Sequence, residues 1–87
     1  MRTIILNKEW QEVASNSVKL QCIKGLVCIY VGENKPNKNE SGFLLSKREF
    51  FTYEKYGKEK LYCKARDFNN TGKIVIYDYK KKRGFLW

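Results

Sequence analysis

The chain has 87 residues, of which 43% are hydrophobic and 15% aromatic, which suits one small domain with a modest core and excludes a disordered composition. Lys and Arg number 18 against 9 Asp and Glu, a formal charge of +9, and there is no histidine, so a histidine-based catalytic or zinc centre is excluded. No apolar stretch is long enough for a helix to cross a membrane, and Met1–Leu6 lacks the apolar run of a signal peptide, so synthesis in a reducing cytoplasm is expected.

Met1–Asn7 is a β-branched run suited to an edge strand or an arm. Asn7–Ala14 admits one helical turn capped by Asn7, but no 3.6-residue period continues, and extended structure anchored by Trp10 and Val13 is the better reading. After a turn at Ser15–Ser17, the segment Ser17–Ile23 alternates, with Val18, Leu20 and Cys22 on one face and Lys19 and Gln21 on the other. Lys24-Gly25 reads as a hairpin connection into Leu26–Val31. That run lacks a polar face, which predicts a central strand covered on both sides, by this chain or by a neighbour.

Gly32–Gly42 (GENKPNKNESG) is the longest polar stretch and reads as an exposed loop that returns into Phe43–Leu45. Ser46 and Glu49 have capping-box spacing and Gly57 suits a helix end, yet Phe50-Phe51-Thr52-Tyr53 is a run of strong β formers. A turn at Ser46–Arg48 followed by a strand over Glu49–Tyr53 is therefore predicted. A turn at Tyr56–Lys58 leads into Glu59–Arg66, with Leu61, Cys63 and Ala65 inward and Lys60, Tyr62, Lys64 and Arg66 outward. Asp67–Gly72 is a turn, and Lys73–Tyr79 the last strand, with Ile74 and Ile76 opposed to Val75, Tyr77 and Tyr79. The expected fold is all-β: a small antiparallel sandwich or barrel of six or seven short strands over residues 1–79, followed by an arm at residues 80–87.

Chemistry-bearing signatures are scarce. Cys22, Cys28 and Cys63 lie within apolar alternation, with no C-x-x-C pair and no partner base, which suits buried free thiols. Neither a P-loop nor a dinucleotide fingerprint occurs, so no enzyme, metal or cofactor is expected. Two glycosylation sequons, at Asn39 and Asn69, are read as chance matches. Charge is uneven: 8 bases and 5 acids in residues 1–53, against 10 and 4 in residues 54–87. Four of those bases are Lys80, Lys81, Lys82 and Arg83, followed by Gly84 and the apolar Phe85, Leu86 and Trp87. Such a tail is either a solvated end or an anchor steered by charge and docked by its apolar residues; the unmatched apolar end favours the anchor. Lys35, Pro36, Asn37 and Lys38 are candidate loop contacts. Tyr62, Tyr77, Tyr79, Phe50 and Phe51 among basic strands are the candidate stacking platform of an alternative reading, a small basic OB-like nucleic-acid-binding protein, for instance a regulator or an inhibitor of host defence.

Several features fall in a recognisable order. They are Trp10, the strand Val18–Ile23, Val27–Gly32 ending in glycine, Pro36, and Gly42 before Phe43-Leu44-Leu45. Glu49 before Phe50-Phe51, then Leu61–Ala65 and Gly72 before Lys73–Tyr77, complete it. In this order the chain resembles the small β-sandwich accessory proteins of tailed phages, which decorate capsids or form head fibres. It departs where similar proteins tend to read Pro-Gly-Glu and this chain reads Lys47-Arg48-Glu49, which keeps the helical alternative open there; the C-terminal arm also lies outside the shared pattern. The resemblance implies a virion structural protein, a homo-oligomer with trimers frequent, bound to a larger virion protein such as the capsid.

Overall fold

The computed structural model describes residues 1–66 and 71–78. Its elements are eight strands: β1 (Arg2–Leu6), β2 (Gln11–Ala14), β3 (Val18–Lys24), β4 (Val27–Gly32), β5 (Phe43–Leu45), β6 (Phe50–Tyr53), β7 (Lys60–Ala65) and β8 (Gly72–Asp78). They form two four-stranded antiparallel sheets, sheet A in the order β1-β8-β3-β6 and sheet B in the order β2-β7-β4-β5. The expected sandwich is thus present, with eight strands rather than six or seven. Residues 67–70 of the predicted turn Asp67–Gly72, Tyr79 and the whole arm 80–87 lie outside the described residues, and Gly72 already begins β8.

Alternation decides what each strand buries, because successive side chains point to opposite faces. Val18, Leu20 and Cys22 of β3 meet Ile74 and Ile76 of β8 and Leu6 of β1 from sheet A. Val27 and Ile29 of β4 and Leu61, Cys63 and Ala65 of β7 close the core from sheet B. No polar or charged residue is buried there, so burial of apolar surface supplies the cohesion.

The strand path differs from the simple meander that the sequence suggests. Lys24-Gly25 does not make a hairpin: β3 belongs to sheet A and β4 to sheet B. Gly25, at φ 75°, turns the chain across the sandwich, a left-handed conformation that glycine adopts without penalty. The Cys22 backbone is engaged instead by the β5–β6 turn, where Arg48 N–H donates to Cys22 O (2.6 Å) and Cys22 N–H donates to Glu49 O (3.0 Å). Only β4 and β5 are consecutive strands paired within one sheet. The antiparallel order holds, but six of the seven connections cross between sheets.

Strand, not helix, follows Ser46. Glu49 N–H donates to Ser46 O (3.0 Å) and the Glu49 carboxylate accepts Ser46 N–H (2.7 Å), so the capping-box pair closes a turn rather than opening a helix. Arg48 sits at φ 77° within it. The aromatics of β6 then divide between the two faces of sheet A, Phe51 and Tyr53 toward the core and Phe50 outward.

Candidate functional site

β4 is apolar on both faces because both are covered. Its second face builds a smaller core from Cys28, Tyr30, Tyr62 of β7 and Trp10, which precedes β2. The Trp10 and Tyr30 ring centroids are 5.9 Å apart at 60°, and those of Tyr30 and Tyr62 6.5 Å apart at 53°, tilted packings that aromatic quadrupoles favour. The polar loop is fastened onto this cluster. Trp10 Nε1–H donates to Asn37 O (3.1 Å), and the Lys64 ammonium donates to Lys38 O (2.9 Å) while standing 4.7 Å from the centroid of the Trp10 ring. Of the predicted loop contacts, Lys35, Asn37 and Lys38 are exposed and Pro36 is half-buried. The loop therefore presents side chains to solvent from a backbone pinned to sheet B.

Sheet A has no such cover. Its outward positions are Thr3 and Ile5 on β1, Lys73, Val75 and Tyr77 on β8, Lys19 and Gln21 on β3, and Phe50 and Thr52 on β6. None is acidic. Ile5 is 71% exposed and Phe50 52%, with the Lys19 ammonium 4.7 Å from the centroid of the Phe50 ring. The predicted aromatic platform is accordingly corrected. Tyr62 is buried in the smaller core and Phe51 packs against the main one, because the two sheets send alternate residues to different surfaces. Phe50 and Tyr77 share the open face, and Tyr79 lies outside the described residues.

A third surface is the side of the sandwich where β5 and β6 form the two sheet edges. Phe43 is 66% and Leu44 54% exposed there, and the Phe43 ring lies 6.0 Å from that of Phe51, bridging the two edges. β7 pairs with β4 from Val27 to Gly32, but β5 pairs only with Val27–Ile29. Past Ile29 the chain diverges, leaving a groove of about 330 Å³ lined by Ile29, Tyr30, Val31, Ser41, Gly42 and Phe43. Sequence reading missed this surface, although β5 and β6 contain no charged residue, which is the signal that marks it.

The ionisable groups offer little reactivity. Burial, with smaller contributions from Cys28 and Cys22, pushes the Cys63 thiol far above its usual range, and burial also raises Cys22. All three cysteines are free and buried. Among the described residues, no cluster of three or more Cys, Asp or Glu side chains is arranged to hold a metal ion. The Glu59 carboxylate accepts Tyr56 N–H (3.0 Å), which lowers its pKa.

Tyr53 is a core side chain whose titration falls within reach of an unfolding experiment. Its ring is 6% exposed, and its hydroxyl has no hydrogen-bond partner of good geometry among the described residues. Burial first, then the nearby Glu59 carboxylate, pushes its pKa up to about 12 from 10.0. The folded state therefore holds this proton after the unfolded chain has lost it. The stability that this group contributes is fully present below about pH 10 and is lost as pH rises toward 12. Urea unfolding at roughly pH 9 and 11 should show this loss, and Tyr53→Phe should lose less over the same interval than the parent, with the other tyrosines and lysines common to both. Equal losses would show that Tyr53 is not the responsible group.

No protein family, curated protein or solved structure matches this chain.

Proposed function

We propose that the chain is a non-enzymatic structural module of a phage particle, which forms homo-oligomers, with trimers foremost, and attaches to a larger virion protein such as the capsid. This is the role implied by its resemblance to the phage accessory sandwiches. One observation supports it above the others. The chain covers the outer face of sheet B with its own Trp10 and loop, yet leaves Ile5, Phe43, Leu44 and Phe50 more than half exposed on sheet A and along the β5–β6 side. Phe43 and Leu44 are neighbours on β5, with Phe50 on β6 at the same side of the sandwich, and apolar residues grouped on one side mark an interaction surface. In this reading the arm Lys80–Trp87 serves attachment, and no cofactor takes part. Light scattering on the purified chain is expected to give a mass near three times the 10.4 kDa of one copy. A monomer at every concentration would remove the homo-oligomer from the proposal.

A second reading, binding of single-stranded nucleic acid, is favoured by the absence of acid on the outward positions of sheet A, where Lys19 and Lys73 accompany Phe50 and Tyr77. Binding of a labelled oligonucleotide should then weaken steeply between roughly 50 and 200 mM salt, and Lys19→Glu with Lys73→Glu should abolish it. Binding that is weak and indifferent to salt eliminates this reading.

A further inference from the structure

We propose that the outer face of sheet A holds a nucleic-acid single strand with its bases drawn apart, one stacked on Phe50 and another on Tyr77, with Lys19 on the phosphate between them. This rests on the nucleic-acid reading above and names its contacts and strand geometry. The register sorts the outward positions into three rows across the sheet. Ile5 and Lys73 lie in the first row, which Lys24 continues beyond the register shift. Thr3, Val75, Gln21 and Phe50 form the middle row, and Tyr77, Lys19 and Thr52 the third. Lysines thus flank the middle row on both sides. The Gln21 amide donates to Arg48 O (3.1 Å), which sets the exposed Lys47-Arg48 turn beside the Phe50 end of that row. The acids that flank β6 are engaged within their own loops: Glu49 accepts Ser46 N–H (2.7 Å) and Glu54 accepts the Tyr56 hydroxyl (3.1 Å). Asp78 is in register with Val18, an inward position.

Charge selects a polyanion for this face, and the rings select its class. Phe50 is 52% and Tyr77 39% exposed, and unpaired bases stack on aromatic rings set among cations. An acidic peptide would meet the lysines and leave both rings in water. The Lys19 ammonium stands 4.7 Å from the centroid of the Phe50 ring, and Lys19 is in register with Tyr77, so this charge lies between the two rings. A base arriving on Phe50 takes the place of the ammonium, which passes to the adjoining phosphate. Phe50 and Tyr77 are two strands and two residues apart, about 12 Å by strand geometry. Stacked bases stand about 3.4 Å apart, so one strand reaches both rings only with its bases unstacked. A duplex keeps its bases paired and offers the face phosphates alone.

The test is fluorescence anisotropy of a labelled oligothymidylate of about 12 nucleotides, and of a duplex of equal length, titrated with the full chain at roughly 50 to 200 mM salt. The single strand is expected to bind more tightly than the duplex. Phe50→Ala and Tyr77→Ala should each weaken single-strand binding about tenfold or more, with the salt slope and the duplex affinity unchanged. Phe50→Trp, which keeps a stacking surface, should bind as the parent does. Lys19→Met should reduce the slope of log K against log salt by about 0.7, the share of one phosphate on a single strand. The basic arm is common to all these variants, and circular dichroism checks the sheet in each. Salt-steep binding that survives both alanine variants, or a duplex bound as tightly as the single strand, would overturn the stacked arrangement and leave the nucleic-acid reading standing. Polyglutamate that displaces the oligonucleotide at equal charge would overturn it in favour of an acidic protein. A parent chain without salt-dependent binding defeats both the arrangement and the reading beneath it.

Discussion

Trp10→Ala is expected to lower the melting temperature by roughly 15–30 °C and to release the Gly32–Gly42 loop from sheet B. Trp10 is 3% exposed and is the centre of the smaller core, touching the Tyr30 ring, holding Asn37 O through its indole N–H and lying beneath the Lys64 ammonium. Truncating a buried tryptophan to alanine costs about 3–5 kcal/mol. Total stability for a chain of this length is about 4–13 kcal/mol, so one substitution removes a large share. The void cannot close easily, because Tyr30 and Tyr62 are anchored on the central strands β4 and β7. Calorimetry gives the shift, and tryptic cleavage after Lys38, whose carbonyl accepts the Lys64 hydrogen bond, reports the loop. Trp10→Phe separates the contributions: it keeps a ring but loses the N–H donor, with an expected cost of about 1–2 kcal/mol. An alanine variant melting within a few degrees of the parent would show that the smaller core contributes little, and that the loop is held by its own turn, in which Glu40 N–H donates to Asn37 O.

The main core was legible from sequence because period-two alternation needs no partner to be read. Val18, Leu20 and Cys22, then Leu61, Cys63 and Ala65, then Ile74 and Ile76 all point inward as their spacing predicts. Sheet membership was not legible. Lys24-Gly25 specifies a tight turn, but a turn at φ 75° serves a corner between sheets as readily as a hairpin, and the choice is made by the distant Arg48 and Glu49 backbone bonding to Cys22. The smaller core was half legible. Cys28 and Tyr30 stand at the outward positions of β4, and their apolar character did predict a covered second face. Tyr62 misled, since its place among Lys60 and Lys64 reads as solvent-facing until Trp10 and the loop are set over it. The two surfaces that differ most in chemistry, the acid-free face of sheet A and the side edged by the uncharged strands β5 and β6, depend on which strands lie together. No local pattern carries that information.

Gly42→Ala should destabilise the fold by about 3 kcal/mol although it adds a single methyl group. β5 approaches β4 closely as the loop enters it, with Phe43 opposite Ile29. A Cβ on Gly42 would fall against the Ile29 carbonyl oxygen, far inside van der Waals contact, and 2.9 Å from the carbonyl carbon. These are backbone atoms of a central strand. They cannot retreat without disturbing the pairing of β4 with β7 from Val27 to Gly32. The lower-cost response is for β5 to peel away, which exposes Leu45, now 7% accessible, and separates Phe43 from Phe51. Gly57→Ala supplies the control, because its added carbon meets only the end of the Glu59 side chain, at 3.1 Å, and a change of no more than about 0.5 kcal/mol is expected. Urea melts of the two variants compare the sites directly. Equal melts for Gly42→Ala and Gly57→Ala would mean that β5 is not held against Ile29 at this point.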